Sequence, residues 1–283
     1  MTDTRHIAPL RGLRFSPDWI TRPLFGVLLA ALVIAADFMG QRYLAIFVAL
    51  GAIFAVREWH RMVWPQSYLF EVMLSAITIM LALLALTLWP NGVLGWAILG
   101  VGAVAALFVA VIRGENFAWQ AGGILYIGIP ALAMIAARAI PANGAWLIVG
   151  LFLIVWATDT GALVAGNLIG GPKLAPVLSP NKTWAGTLGG VATAAIVEGI
   201  FVGVLGGDPV LGSLYGAGLA LVAHAGDLFE SWVKRSFHRK DSGSLIPGHG
   251  GMLDRIDSTL FAVSALAVLV LVFKLDPLFG AHP

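Results

Sequence analysis

Residues 145–157 read AWLIVGLFLIVWA, an unbroken apolar run, and Thr158 and Asp159 follow it. Continued to residue 166, the block is long enough as a helix to cross a bilayer core, which takes about 20 residues. Eight more apolar stretches surround it, at approximately 23–39, 43–56, 69–88, 92–112, 118–137, 185–206, 209–225 and 259–275. In hydrocarbon each backbone N–H and C=O must be satisfied within the segment, so such stretches become helices. Composition agrees: of 283 residues 59% are hydrophobic and 11% charged, with a mean hydropathy of +0.90. A water-soluble domain carries about 25% charged residues, so this chain lacks the polar surface to wrap a soluble globule. The expected fold is all-α: one integral membrane domain over residues 1–283, with nine transmembrane helices. The second stretch is short for a full crossing.

Charge sets the orientation. Threaded with the N-terminus in the cytoplasm, nine spans put all but Arg42, Arg138 and Lys274 of the 17 lysines and arginines inside. That asymmetry is the one that orients membrane proteins, and it predicts an external C-terminus. Arg5, Arg11, Arg14 and Arg22 precede the first block, and Asp37-Phe38-Met39-Gly40 after it offers no small-residue cleavage site. An uncleaved first span is therefore expected, and the short arm 1–22 suits a bacterial inner membrane. Trp59, Trp89 and Trp146 fall near block edges, as interfacial anchors do. With no cysteine, a disulfide framework, a thiolate metal site and a cysteine nucleophile are excluded. Gly186/Gly190, Gly199/Gly203/Gly207 and Gly212/Gly216 have small-xxx-small spacing. They would let helices seven and eight pack closely, and they offer a route to a homodimer.

Two polar cytoplasmic segments stand out, residues 167–184 and 226–258. Long polar segments between spans commonly carry function. In the second, Gly248, Gly250 and Gly251 surround His249 and free the backbone to turn tightly and present N–H groups to an anion. Lys234, Arg235, Lys240 and Arg255 are cations suited to phosphate. Asp227, Asp254 and Asp257 are hard oxygen donors suited to Mg²⁺, which takes a few carboxylates together with substrate phosphates. Asp254 and Asp257 are i, i+3 at the start of helix nine, and Asp227 and Glu230 hold the same relation at the end of helix eight. Each pair therefore shares a helix face. No Ser-His-Asp arrangement is evident.

The run Ser231-x-Val233-Lys234-Arg235, then Lys240-Asp241-x-Gly243, then Ile246-Pro247-x-His249-Gly250-Gly251-Met252-x-Asp254-Arg255-Ile256-Asp257 resembles the signature of the phosphatidate cytidylyltransferases. Leu174-Ala175-Pro176 with Ser179-Pro180-Asn181-Lys182-Thr183-Trp184-Ala185-Gly186 is similar to a second motif of that family. Asn181 and Ala185 stand where a lysine and a glutamate are expected. With Asp159-Thr160-Gly161-Ala162, the similarity covers roughly residues 159–257.

The resemblance implies the reaction of CTP with phosphatidate to give CDP-diacylglycerol and pyrophosphate, with Mg²⁺ and room for a second cation. With the apolar stretches, the single domain then divides into the arm 1–22, membrane helices 23–158, a catalytic region 159–258, and a last helix and C-terminus 259–283. Asp227, Asp254 and Asp257 are then the metal ligands, while Lys182, Lys234, Arg235 and Arg255 hold phosphates. His249, Gly248, Gly250 and Gly251 take the triphosphate or the departing pyrophosphate, with Lys240 beside them. Ser179, Lys182 and Thr183 form a second wall, and Asp159, Glu230 and Asp241 are additional candidates. No nucleic-acid partner is expected.

Carboxylates inside spans are expensive in lipid and so are functional candidates. Asp159 is one. Glu198 in helix seven is evenly divided between structural pairing and function, and Asp37 and Glu71 are expected at the interface. Two rival readings remain: a CTP-dependent kinase of a polyprenol- or phytol-type lipid, which shares the metal and phosphate requirements, and an ion-coupled transporter using Asp159, Glu198 and Glu71.

Overall fold

The computed structural model describes residues 30–64, 68–90, 92–114, 116–243 and 250–278. Its helices are α1 (Ala30–Met39), α2 (Gln41–Val63), α3 (Leu69–Leu88), α4 (Leu94–Ile112), α5 (Phe117–Arg138), α6 (Gly144–Leu168), α7 (Trp184–Val204), α8 (Pro209–Ser236) and α9 (Leu253–Ala267). A π-helical stretch, Val268–Val272, prolongs α9. Between α6 and α7 lies an antiparallel hairpin, β1 (Lys173–Ala175) with β2 (Ser179–Thr183), the one addition to the expected all-helical plan among the described residues. Eight of the described helices are long and apolar enough to cross a membrane.

Helix ends depart from the hydropathy blocks for a physical reason. Hydropathy marks where lipid would touch the chain, whereas backbone hydrogen bonding carries a helix on into polar sequence. The second apolar stretch stops at residue 56, yet α2 runs 23 residues to Val63, through Arg57, Glu58, His60 and Arg61. Likewise α8 continues to Ser236 and α9 begins at Leu253. The polar segment expected over 226–258 is thus helical at both ends. Asp227, Glu230 and Lys234 ride on α8, and Asp254 and Asp257 on the first turns of α9.

Helices α6 to α9 pack in sequence, each on the next, and α5 joins this group by packing on α9. Helices α2, α3 and α4 complete the other side against α5. The glycine stripes are spent inside the chain. A Cβ on Gly190 would come within 2.7 Å of the Thr158 carbonyl of α6, and one on Gly212 within 2.7 Å of Val202 Cβ of α7. Close backbone approach gives α6, α7 and α8 the dispersion contacts that replace a hydrophobic driving force in lipid.

Where the two helix groups meet, aromatic rings lock the ends that carry polar sequence. Trp59 of α2, Trp119 of α5, and Trp232 and Phe237 at the end of α8 form one chain of ring contacts. Tyr126, Phe229 and Phe261 continue it to α9. Asp37 and Glu71, expected at the membrane interface, are fully buried within the protein (0% exposed). Each is paired across helices at 2.6 Å, Asp37 with Arg138 and Glu71 with Arg113. A buried charge is tolerated when a neighbouring helix supplies its counter-charge.

Candidate active site

Residues of α6, α8 and the start of α9, with the segment that follows α8, surround a cavity of about 640 Å³ lined by Asp159, Asp227, Lys234, Lys240, Asp241, Gly250, Asp254, Arg255, Asp257 and Ser258. Lys234 is the hinge of its charge arrangement. Its Nζ lies 2.5 Å from Glu230 Oε2, one turn back on α8, and 2.7 Å from Asp254 Oδ1 on α9. Glu230 is buried behind it. Asp254 also accepts from two backbone amides, Ser242 N at 3.0 Å and Gly251 N at 2.8 Å. Gly250 makes that last approach: its φ is +81°, and a Cβ there would meet Asp254 Oδ2 at 2.8 Å. Asp257 accepts from Ser258 N at 2.7 Å, and its charge interacts with those of Asp227 and Asp159.

A second polar cavity, of about 590 Å³, shares Asp159 and Asp227 with the first. Asn167, Lys173, Asn181, Lys182, Thr183, Thr187 and His224 complete its polar lining. The hairpin swings Lys182 over α8, where it forms an ion pair with Asp227. Thr183 is the N-cap of α7, its hydroxyl accepting from Gly186 N at 3.1 Å. The α7 N-terminus, with Thr183, Gly186 and Thr187, thus faces the cavity and gives it the positive end of a helix dipole.

The third space is apolar, about 300 Å³, lined by side chains of α1, α2, α5, α6 and α9 such as Phe47, Ile127, Met134, Phe152 and Leu260. Its polar residues include Asp159 and Arg255. Asp159 therefore stands on both polar cavities and the apolar groove at once.

Of the residues expected from sequence, Asp159, Lys182, Thr183, Asp227, Lys234, Lys240, Asp241, Gly250, Asp254, Arg255 and Asp257 line these cavities. Ser179 begins β2 away from them. Arg235 turns outward, and its guanidinium donates to the Arg239 carbonyl at 2.8 Å, closing the turn after α8. Gly251 packs against Glu58 and Ser242. Gly248 and His249 lie outside the described residues. Three residues escaped the motif reading. His224 and Thr187 belong to spans rather than polar segments. Glu58, on α2, accepts from Ser242 Oγ, Met252 N and Leu253 N. Only His224 carried a signal, as a lone histidine three residues before Asp227.

The donor set suits a hard divalent cation. The larger cavity presents five carboxylates (Asp159, Asp227, Asp241, Asp254 and Asp257) against Lys234, Lys240 and Arg255. A polyanion could enter so acidic a cavity only with cations beside it. Among the described residues no three acidic or histidine side chains are grouped to hold a metal unaided.

Fold and site together define a polytopic helical membrane protein with a polar, phosphate-suited cavity beside an apolar groove. A profile of the cytidylyltransferase family matches residues 20–273, and the chain belongs to that family. It is 30% identical to a phosphatidate cytidylyltransferase of Staphylococcus haemolyticus over 88% of this chain and 98% of the relative. It is 47% identical to one of Brucella suis over 55% of this chain, a match spanning 58% of that relative's length. A Rickettsia bellii phosphatidate cytidylyltransferase is 39% identical over 51% of the chain and 65% of the relative.

Proposed function

We propose that this protein transfers the cytidylyl group of CTP to phosphatidate, giving CDP-diacylglycerol and pyrophosphate. One observation carries the reading. The acidic, cation-dotted cavity and the apolar groove meet at Asp159 and Arg255, so a lipid tail in the groove would set its phosphate beside charged groups. The relatives' names and the family support the same reaction.

The lipid phosphate is itself the nucleophile. Its second pKa is about 6, so it is largely dianionic at neutral pH and needs no strong general base. One of its oxygens forms a bond to the α-phosphorus of CTP, the bond from that phosphorus to the bridging oxygen breaks, and pyrophosphate departs. The barrier is repulsion between anions, so catalysis is in-line positioning and charge neutralisation. Arg255 is placed to hold the lipid phosphate at the groove's polar end. Lys234 and Lys240 face the larger cavity and Lys182 the smaller, each positioned to take phosphate oxygens. Asp227 and Asp257 would hold Mg²⁺, with Asp254, already engaged by Lys234 and two amides, at the edge of the set. The ion, when bound, supplies positive charge to the triphosphate.

The site belongs on the cytoplasmic face, where CTP is found and where Lys234, Arg235, Arg239 and Lys240 satisfy the positive-inside rule. In a bacterium that places the protein in the inner membrane. The glycine stripes are occupied by packing within the chain, so a homodimer would use another face.

The decisive experiment gives purified protein in detergent phosphatidate, Mg²⁺ and CTP labelled in either the α- or the γ-phosphate. Label from the α position should enter the lipid phase and γ label should leave as pyrophosphate. Transfer of the γ label into lipid would instead mark a CTP-dependent lipid kinase.

A further inference from the structure

Glu58 lies outside both sequence motifs, on α2, a helix that gives the site only apolar groove lining. It is buried, 5% exposed, and has no cation paired with it among the described residues. Its carboxylate is satisfied instead by the polar segment between α8 and α9. Oε2 accepts from Ser242 Oγ at 3.1 Å and from Leu253 N at 2.9 Å, and Oε1 accepts from Met252 N at 2.9 Å. Met252 is the N-cap of α9 and Leu253 its first residue, so two of the helix's orphan amides are closed by a side chain from another helix. The backbone has been shaped to this carboxylate. A Cβ on Gly243 would come within 2.6 Å of Glu58 Oε1, and a Cβ on Gly251 would collide with Oε2.

Both sides of this contact reach the site. Ser242, held by its hydroxyl on Glu58, gives its backbone N–H to Asp254. Gly251, packed on Glu58, gives its N–H to the same carboxylate. Asp254 in turn fixes Lys234. We infer that Glu58 is a positioning residue for the reaction, an anionic anchor on α2 that sets the start of α9 and, through Ser242 and Gly251, the placement of Asp254 and Lys234. This rests on the cytidylyl-transfer reading of the site for its kinetic consequence, though not for its structural one.

The role is specific to a carboxylate. Three donors converge on two oxygens, and two of them, Met252 N and Leu253 N, are amides that cannot turn into acceptors. In a glutamine the NH₂ would face one of those amides whichever way the side chain is flipped. Glu58→Gln therefore keeps size and polarity and loses the anchor.

The test measures Glu58→Gln, Ser242→Ala and the double variant, each purified in detergent and normalised to folded protein. For Glu58→Gln we expect kcat with CTP and phosphatidate to fall by about tenfold or more, with smaller changes in either KM. Ser242→Ala should lose several-fold, and the double variant should be no worse than Glu58→Gln, since both break one linkage. A second readout needs no turnover: amide hydrogen exchange at Met252 and Leu253 should quicken in Glu58→Gln. Parental kinetics per folded molecule, independent multiplication of the two effects, or unchanged exchange would each overturn the inference. Should Glu58→Gln not accumulate, Ser242→Ala alone decides it, by its kcat. A parent protein that moves no label defeats the reaction reading, and the exchange measurement still judges the anchor.

Discussion

Replacing Lys234 by methionine removes the cation that stands between two carboxylates and keeps most of its volume. The side chains of Lys234, Glu230 and Asp254 are 12%, 1% and 11% exposed, so water can replace little of what is lost. At an effective dielectric of about 20, one charge pair at 2.7 Å is worth roughly 6 kcal/mol before the desolvation penalty is subtracted. Removing one partner of a buried pair costs about 3–5 kcal/mol net, because the other charge stays behind uncompensated. For a protein of this size that is a drop on the order of 10 °C in the midpoint of thermal unfolding. The assay is a melt in detergent, followed by loss of monodisperse elution and by tryptophan fluorescence. Lys234→Met should show the full drop, and Glu230→Gln/Lys234→Met should recover part of it, because the leftover buried charge is gone. A single variant within about 2 °C of the parent, a shift worth under 1 kcal/mol, would mean that the three groups do not share one buried network. The reasoning would then be refuted whatever the variant's activity.

Asp257→Asn and Asp227→Asn each remove a unit charge from the expected Mg²⁺ site. Turnover should fall about a hundredfold or more, with the Mg²⁺ requirement of any residual activity moved to higher concentration; near-normal turnover on an unchanged Mg²⁺ curve removes that residue from the site. Lys182→Ala should raise the KM for CTP more than Lys173→Ala, because only Lys182 pairs with Asp227, and Lys182→Arg should keep part of the activity as a retained charge. Equal, mild effects at both lysines would reduce the hairpin to a charge anchor. Single cysteines at Ser236 and Val93, both exposed, should label from opposite sides of intact vesicles, and labelling from one side would refute the nine-span threading. Gly216→Val should abolish folded protein in the membrane fraction, since a Cβ there collides with the Ala194 carbonyl of α7; normal accumulation would mean that α7 and α8 do not pack as described.

Much of the site could be read along the chain because its residues are local to two segments. Asp227, Lys234, Lys240, Asp241, Asp254, Arg255 and Asp257 all fall within 31 consecutive positions of the sequence and all line one cavity. The i, i+3 spacing of Asp254 and Asp257 at the start of α9 is a short-range property that residue order displays. Roles were harder to read than membership. Arg235 looked equivalent to Lys234, yet neighbouring positions on a helix diverge by about 100°, and Arg235 is turned to the loop carbonyl of Arg239.

The sequence by itself determined the class of fold, because lipid permits a chain this apolar to be little else than helices that satisfy their own backbones. It also determined which residue types were available for phosphate and metal, since charge is scarce here and clustered. Tertiary structure alone decided which partners each buried charge meets. Nothing near Asp37 or Glu71 in the chain announces Arg138 or Arg113 as a partner. Nothing near Glu58 announces Ser242, 184 positions away. Those choices are made where helices distant in sequence come together, because a carboxylate removed from water is bound to whichever donors the packing brings within reach.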